Sequence, residues 1–279
     1  MKNYKLPGGF TALKRGGAIL MLNDGYKDIL AGEGVGNPEE MIRKEGAGIR
    51  VLEGGRGRVV SVALRGMPGD RMVVRKYEHG GIFAKVLGDV FAGPLSRSRP
   101  LKELRVSALA AQKGLPVPEI IGVWVERHAG FFWRGYIYSR EIPDAENLTV
   151  YLGRKERKEK GGVIRAVALV LRKLHGQKIY HGDLNAANIL VQEKRDGIKV
   201  FLIDMDKSKI ISGFREKNGI RNLIRFSRSV DKMRLPVSGS DRRLFMRAYF
   251  GPSLPEKKVL KKCLRSYHLH SLGRRFADE

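Results

Sequence analysis

A polar loop that carries His181, Asp183 and Asn188 lies between two apolar runs, and a later apolar run leads to Asp204 and Asp206. Carboxylate and amide oxygens are hard ligands of the kind that Mg²⁺ prefers, and the ion usually takes only one or two carboxylates from a protein. Phosphoryl transfer needs a carboxylate that orients the attacking hydroxyl, and Mg²⁺ that neutralises the nucleotide phosphates. The residue types and their spacing therefore predict a phosphoryl-transfer site.

The spacing also matches the protein-kinase pattern, in which a catalytic Asp is followed five residues later by an Asn and, after the next hairpin, by a metal-binding Asp. Asp183, Asn188 and Asp204 occupy these positions. Residues 189–191 and 200–203 are apolar runs separated by a polar, glycine-containing segment, which predicts a hairpin. Such a hairpin would bring Asn188 and Asp204 to the same end, facing Asp183.

Two histidines precede the proposed catalytic carboxylate. Apolar residues recur at helical spacing from Val163 to Leu174, which predicts a core helix that leads into the polar loop. We expect His175 to make a polar contact at the end of this helix and His181 to hydrogen-bond the loop backbone. Asp183 therefore has the better claim to the catalytic role.

A glycine cluster in the N-terminal half is a candidate phosphate-binding loop. Gly55, Arg56 and Gly57 lie between two β-prone runs. Glycines let a backbone fold closely over phosphates, which exposed amide groups can bind. The same pattern is typical of an ordinary tight turn, so it leaves both interpretations open.

A strand predicted over 72–77 contains two adjacent bases, Arg75 and Lys76. A kinase needs one cation here, aimed at the α- and β-phosphates of the nucleotide. Successive strand residues face opposite sides of a sheet, so only one of the two can take this role. A helix predicted over 101–111 supplies Glu103 as the acid available to pair with that cation. The residues alone leave the choice between Arg75 and Lys76 open.

The order of these elements predicts two lobes. Residues 1–50 are Gly-rich and are expected to be irregular, apart from a short helix at 38–44. After two further strands, residues 140–144 form a connector that we interpret as a hinge. We therefore predict an N-terminal nucleotide-binding lobe at 1–142 and a C-terminal catalytic lobe with a basic helical tail at 143–279.

Composition limits the partners and the compartment. A chain of 279 residues with 42% apolar content can bury one large core or two modest ones. The net charge of +25 would attract nucleic acid, anionic membranes or phosphorylated lipids. A single cysteine, Cys263, excludes an intramolecular disulfide and suits a reducing compartment. We find no signal-peptide core and no window approaching ~18 apolar residues, so we expect a cytoplasmic protein whose membrane contact is peripheral.

The C-terminal region is strongly basic. From Lys207 to Glu279 there are 19 Lys and Arg residues and 6 Asp and Glu residues. Apolar positions persist through this region, which predicts helices with basic faces. These faces could be simply solvated, or they could lie against anionic lipid, where each basic residue contributes about 1 kcal/mol.

Several segments together resemble the Kdo/WaaP lipopolysaccharide kinase family: residues 74–81, the Glu103 helix with 114–118, and residues 181–188 with 203–206. The resemblance is specific in the Leu-Asn-Ala-x-Asn continuation after the catalytic Asp, which general protein kinases lack. It implies an α+β, bilobal protein-kinase-like fold. In that fold an N-terminal antiparallel sheet lobe has one main helix, and the C-terminal lobe is mostly helical.

The same resemblance implies a reaction and a site. The reaction is ATP-dependent phosphorylation of a sugar hydroxyl of the lipopolysaccharide inner core, at position 4 of Kdo, with Mg²⁺. A Kdo-lipid A acceptor would place the enzyme at the cytoplasmic face of the inner membrane. By position, the resemblance implies that Asp183 and Asn188 take part in catalysis and that Asn188 and Asp204 bind the metal ion. It also implies that Glu103 pairs with the strand cation. The phosphates would be covered by Gly55, Arg56 and Gly57. The family's basic strand position favours Arg75, whereas the usual kinase lysine would favour Lys76.

Two other functions fit parts of the sequence. RIO-like and related atypical kinases also have a His-x-Asp-Leu loop, and the net charge of +25 would suit RNA or a ribonucleoprotein partner. A non-catalytic polyanion-binding module on a kinase scaffold is the third reading. It ranks last, because all the acids that the chemistry requires are present.

Overall fold

The structure is a computed structural model that describes residues 6–28, 38–43, 48–52, 59–64, 66–79, 88–154 and 160–252. The chain divides into two compact units. The first comprises Met1–Gln112 and Val117–Ile142, and the second comprises Lys113–Pro116 and Pro143–Glu279.

The first unit is built on an antiparallel sheet. Its strands, within the described ranges, follow the order β1-β2-β7-β8-β5-β4-β3, and β6 pairs with β8. The strands are β1 (Phe10–Arg15), β2 (Ala18–Asn23), β3 (Ile49–Leu52), β4 (Val59–Ala63), β5 (Arg71–Lys76), β6 (Phe91–Ala92), β7 (Ile120–Arg127) and β8 (Phe132–Arg140). β5 lies between β4 and β8, so the strand that carries the two candidate cations is internal to the sheet.

The N-terminal region differs from the sequence prediction. Residues 1–50 were expected to be irregular, but β1 and β2 form a hairpin whose second strand pairs with β7. The stretch Ala18–Leu22 is buried at every position. A strand that is covered on both faces is a continuous apolar run without alternation, which explains why the pattern was missed. The short helix α1 (Pro38–Arg43) forms where it was expected.

One long helix, α2 (Arg99–Gln112), packs against the sheet of the first unit and confirms the predicted Glu103 helix. Leu101 and Leu104 are fully buried on its inner face, in a cluster that includes Val123 and Ile137 of β7 and β8. Glu103 is also buried, and its carboxylate pairs with Arg75 of β5.

The second unit is mostly helical. Its helices are α3 (Leu148–Arg154), α4 (Lys160–Gly176), α5 (Glu216–Lys232) and α6 (Gly239–Phe250). Its strands are β9 (Ala145–Asn147), β10 (Ile179–Tyr180), β11 (Ile189–Lys194), β12 (Gly197–Leu202) and β13 (Lys209–Ile210). β11 and β12 form the predicted hairpin, with Ile189 opposite Leu202, and β9 pairs with the other edge of β11.

Together the two units confirm the predicted α+β class, with an antiparallel sheet in the first unit and a mostly helical second unit. The helices that the structure describes include none with both the length and the apolar content that a membrane crossing requires.

Candidate active site

The loop between β10 and β11 is held by His181. The imidazole is fully buried; its Nε2 donates to the carbonyl of Ile203 at 3.1 Å, and its Nδ1 accepts from the amide of Asp183 at 3.2 Å. Burial lowers the pKa of His181, an effect that the hydrogen bond to Ile203 only partly offsets. A neutral ring in a single tautomer therefore joins the loop to the chain before Asp204, as predicted for this residue.

Asn188 connects the other two candidate residues. Its side-chain Nδ2 donates to the carbonyl of Asp183 at 2.8 Å, and its own carbonyl accepts from the amide of Ile203 at 3.1 Å. Asp204 is the next residue and has a φ of 58°, in the left-handed region that Asp tolerates better than most side chains. The structure thus brings Asp183, Asn188 and Asp204 together in one part of the second unit.

The donor atoms at this point suit a hard cation. Since Nδ2 of Asn188 donates to Asp183, its Oδ1 is the atom with which this side chain can bind a metal ion. The Asp204 carboxylate would be the second oxygen donor. Over the described ranges, no cluster of three or more His, Cys, Asp or Glu side chains has a metal-binding arrangement. A cation bound by Asn188 and Asp204 would have one amide and one carboxylate ligand from the protein and would take its remaining ligands from phosphates and water, as Mg²⁺ usually does.

Gly182 allows the loop to approach the segment after Asp206. A Cβ at this position would lie 2.1 Å from the carbonyl oxygen of Lys207 and 2.3 Å from its carbonyl carbon. The Gly182 amide donates to Oγ of Ser208 at 3.3 Å. The glycine next to Asp183 is therefore required by close backbone packing, a role that the sequence analysis did not assign.

Asn222 of α5 is a further residue that the sequence analysis missed. Its Oδ1 accepts from the amide of His181 at 3.0 Å, and its Nδ2 donates to the carbonyl of His181 at 2.8 Å. The same Oδ1 lies 3.0 Å from Nε2 of His175, whose Nδ1 lies 2.6 Å from the hydroxyl of Tyr249. Burial lowers the pKa of His175 to about 4. A detectable signal existed, because Asn222 is a polar residue next to apolar positions on the buried face of a helix.

Arg225, three residues further along α5, contacts the candidate catalytic residue directly. Its guanidinium Nη2 donates to Oδ1 of Asp183 at 2.7 Å. Both side chains remain accessible, at 49% for Arg225 and 35% for Asp183. Nothing in the sequence distinguishes Arg225 from the other basic residues of this helix.

In the first unit, Arg75 and Glu103 form an ion pair. Nη2 of Arg75 lies 2.6 Å from Oε2 of Glu103, and the exposed fractions of the two side chains are 27% and 5%. The hydroxyl of Tyr77 donates to the same carboxylate oxygen, and the Arg75 guanidinium lies over the Tyr77 ring, 4.9 Å from its centroid. The buried Glu103 carboxylate is thus bound by two residues of the β5 segment, and it holds the partly exposed Arg75 guanidinium in place.

Lys76 points to the opposite face of β5, as strand alternation requires. Its Nζ lies 2.7 Å from a carboxylate oxygen of Glu39 and 2.6 Å from one of Asp89. Burial alone would lower the pKa of Lys76, but hydrogen bonds to Asp89 and Glu39 raise it above its usual value. Of the two bases that the sequence left open, Arg75 is therefore the one paired with Glu103, and Lys76 belongs to a separate buried ion-pair network.

Two sets of predicted functional residues lie outside the described residues. They are the glycine cluster Gly55, Arg56 and Gly57, and residues 253–279 of the basic tail, which include Cys263. Their predicted roles therefore stay predictions.

Known proteins resemble this chain over most of its length. A family model described as the lipopolysaccharide kinase (Kdo/WaaP) family matches residues 39–249. The 3-deoxy-D-manno-octulosonic acid kinase of Pasteurella multocida (strain Pm70) is 32% identical over 205 residues, which are 72% of this chain and 85% of that protein. The protein of the same name from Vibrio cholerae serotype O1 is 31% identical over 180 residues, which are 64% of this chain and 72% of that protein.

A solved structure described as WaaP in complex with acyl carrier protein has a similar fold. The TM-score is 0.58 at 16% sequence identity, and the match covers 89% of this chain and 98% of that chain. At this identity the similarity concerns the fold alone. It supports the bilobal, kinase-like α+β class.

Proposed function

The chain belongs to the lipopolysaccharide kinase (Kdo/WaaP) family, and from this membership we infer that it phosphorylates a hydroxyl of Kdo in the lipopolysaccharide inner core. The relatives named 3-deoxy-D-manno-octulosonic acid kinase support Kdo as the acceptor sugar. The family match favours this reaction over the RIO-like alternative. The observation that carries the proposal is the loop in which Asn188 bonds the backbone of Asp183 and precedes the hairpin that leads to Asp204.

Asp183 is proposed as the catalytic carboxylate. It accepts a hydrogen bond from the acceptor hydroxyl and orients that oxygen for in-line attack on the γ-phosphate. As the new O–P bond forms, the bond from the γ-phosphorus to the β–γ bridging oxygen breaks, ADP leaves, and Asp183 takes up the hydroxyl proton. Two groups fix the position of the loop that carries it. They are the neutral His181 ring and the Asn222 amide, which bonds both backbone polar groups of His181.

ATP is the proposed phosphate donor, with Mg²⁺ as its cofactor. Asn188 and Asp204 would hold the cation, which when bound neutralises charge on the phosphates. Arg75 is proposed to bind the α- and β-phosphates while Glu103 and Tyr77 hold its guanidinium in place. Gly55, Arg56 and Gly57 remain the proposed cover of the phosphates. The first unit is thus proposed as the nucleotide-binding lobe and the second as the catalytic lobe.

Because the proposed acceptor is linked to a lipid, we also propose that the protein lies peripherally at the cytoplasmic face of the inner membrane. Support comes from the net charge of +25 and from the excess of basic residues after Asp206. Basic side chains near an anionic leaflet contribute about 1 kcal/mol each and lose this contribution as salt screens them. Binding to phosphatidylglycerol vesicles that weakens with salt, and no binding to phosphatidylcholine vesicles, would support it. Equal binding to both would contradict it.

The function is tested with the purified chain, ATP, Mg²⁺ and a lipid A precursor that bears one Kdo. Mass spectrometry is expected to show the gain of one phosphate, and fragmentation is expected to place it on Kdo. Asp183→Asn and Asp204→Asn are expected to fold normally and to lose transfer. Asn is chosen at 204 because it also tolerates the left-handed backbone there.

Retained turnover in either variant would contradict the assigned roles. Absence of transfer in the wild type, together with tight and salt-sensitive RNA binding, would favour the RIO-like alternative instead.

A further inference from the structure

The contact between Arg225 and Asp183 occupies one of the two oxygens of the carboxylate that is proposed as catalytic. Oδ1 of Asp183 accepts from Arg225 at 2.7 Å. A guanidinium has five N–H donors in a planar fork that matches the two oxygens of a carboxylate. Arg225 is also about half exposed, so an incoming anion can reach donors that the contact with Asp183 does not use.

The position of Arg225 on α5 relates it to a larger basic surface. Residues 217, 221, 225, 228 and 232 are all Lys or Arg, and their spacing of three and four places them on one face of the helix. Four of these side chains are exposed and that of Arg228 is half-buried. The opposite face holds Leu223, Phe226 and Val230 in the core. We call this row the α5 basic stripe; Arg225 is its member in contact with Asp183.

The stripe suits the acceptor better than the nucleotide. In the proposed function, the nucleotide phosphates are already bound by Arg75 and neutralised by the cation that Asn188 and Asp204 would hold. The proposed acceptor is a sugar acid on a phosphorylated lipid, so it presents several separate anionic groups to the protein. A row of cations that extends along a helix from the catalytic carboxylate matches such an extended anion.

We propose that Arg225 is the binding site for the carboxylate of the acceptor sugar acid, and that the acceptor frees Oδ1 of Asp183 by drawing Arg225 to its own carboxylate. The inference rests on the proposed function. The arrangement makes transfer conditional on the acid group, because an acceptor without it leaves Asp183 paired with Arg225. Arg225 thus determines acceptor specificity. The other residues of the stripe attract the negatively charged acceptor but do not bind its carboxylate specifically.

The test compares two acceptors in each variant: the lipid A precursor that bears one Kdo, and its methyl ester, which lacks the negative charge. For the wild type, kcat/KM for the acid is expected to exceed that for the ester by about 100-fold, the value of a charge-assisted pair. Arg225→Ala is expected to reduce this ratio to nearly 1, and Arg225→Lys to an intermediate value because it keeps the charge without the fork.

Arg221→Ala is the matched control, because it removes the same charge one turn away on the same stripe. It is expected to raise KM for both acceptors equally and to keep the ratio. Arg225→Gln provides a second neutral variant in case Arg225→Ala folds poorly, and circular dichroism checks both.

The outcomes separate the two proposals. A wild type that phosphorylates the acid, with the ratio kept in Arg225→Ala and Arg225→Gln, overturns the role of Arg225 and leaves the proposed function intact. If the Arg225 variants keep the acid-to-ester ratio of kcat/KM but have a raised KM for ATP, the proposed role of Arg225 is also overturned, and the residue is assigned to nucleotide binding. A wild type that transfers phosphate to neither acceptor rejects the proposed function, and the inference with it.

Discussion

The side-chain amide of Asn222 forms two hydrogen bonds with the backbone of His181, one to its amide at 3.0 Å and one to its carbonyl at 2.8 Å. These bonds attach the loop that carries Asp183 to the buried face of α5. The His175 ring, which lies within hydrogen-bonding distance of the same Asn222 oxygen, extends the connection to Tyr249 of α6. The loop that carries Asp183 is therefore positioned by a buried polar network as well as by its own backbone.

Replacing Asn222 by Leu is expected to destabilise the protein and to impair catalysis. The change removes the two hydrogen bonds with the backbone of His181 and the one with the His175 ring. It leaves these buried polar groups without their partner, which costs about 2–4 kcal/mol in total. Urea unfolding measures the stability, and kcat at a temperature well below the unfolding transition measures the second effect. Arg221→Ala, on the exposed side of α5, is the stability control. Unchanged stability and kcat in Asn222→Leu would show that the network does not hold the loop.

Gly182→Ala is expected to fold and to lose most of its activity. Its Cβ would lie 2.1 Å from the Lys207 carbonyl oxygen, so the loop and the segment after Asp206 must separate. A displacement of about 1 Å in a catalytic group can reduce the rate by about 100-fold. Gly176→Ala is the matched control, since a Cβ there meets no heavy atom within 4 Å. Equal kcat values for the two variants would contradict the packing role of Gly182.

Arg75→Ala and Lys76→Ala are expected to have different consequences, although the residues are adjacent. The first removes the proposed phosphate-binding cation and should raise KM for ATP and lower kcat/KM by about 100-fold. The second breaks the contacts with Glu39 and Asp89 and should mainly lower the free energy of unfolding. Steady-state kinetics and urea unfolding on both variants check this. A larger effect on KM for ATP in Lys76→Ala would reverse the assignment.

Acidification is expected to destabilise the protein through His175. Burial lowers the pKa of this ring from 6.5 to about 4. Between these values the unfolded chain binds a proton that the folded protein does not, so stability is lost as the pH falls through this window. At about 1.4 kcal/mol per pKa unit, His175 alone accounts for a loss of about 2 kcal/mol between pH 7 and pH 5.

The measurement is the free energy of urea unfolding at pH 7 and pH 5 for the wild type and His175→Gln, which cannot take up a proton. The variant is expected to lose less stability over this interval. An equal loss in both proteins would mean that His175 titrates at its ordinary pKa in the folded state.

Several features were predictable because they depend on local patterns. The hairpin of β11 and β12 follows from two apolar runs and a glycine-containing turn, and α2 follows from apolar residues at helical spacing. The N-terminal hairpin was missed, because the apolar run of β2 has no alternation and its β character depends on being covered on both faces.

The sequence by itself determined the types and order of the chemical groups: an Asp, an Asn five residues later and a second Asp after a hairpin. It also determined that Arg75 and Lys76 must face opposite sides of their strand. Only the tertiary structure decided which of the two meets Glu103, since that depends on how α2 packs on the sheet. The tertiary structure was also needed to show that Asn222 and Arg225 contact a loop about forty residues earlier in the chain. Contacts between distant segments follow from packing and leave no periodic pattern in the sequence.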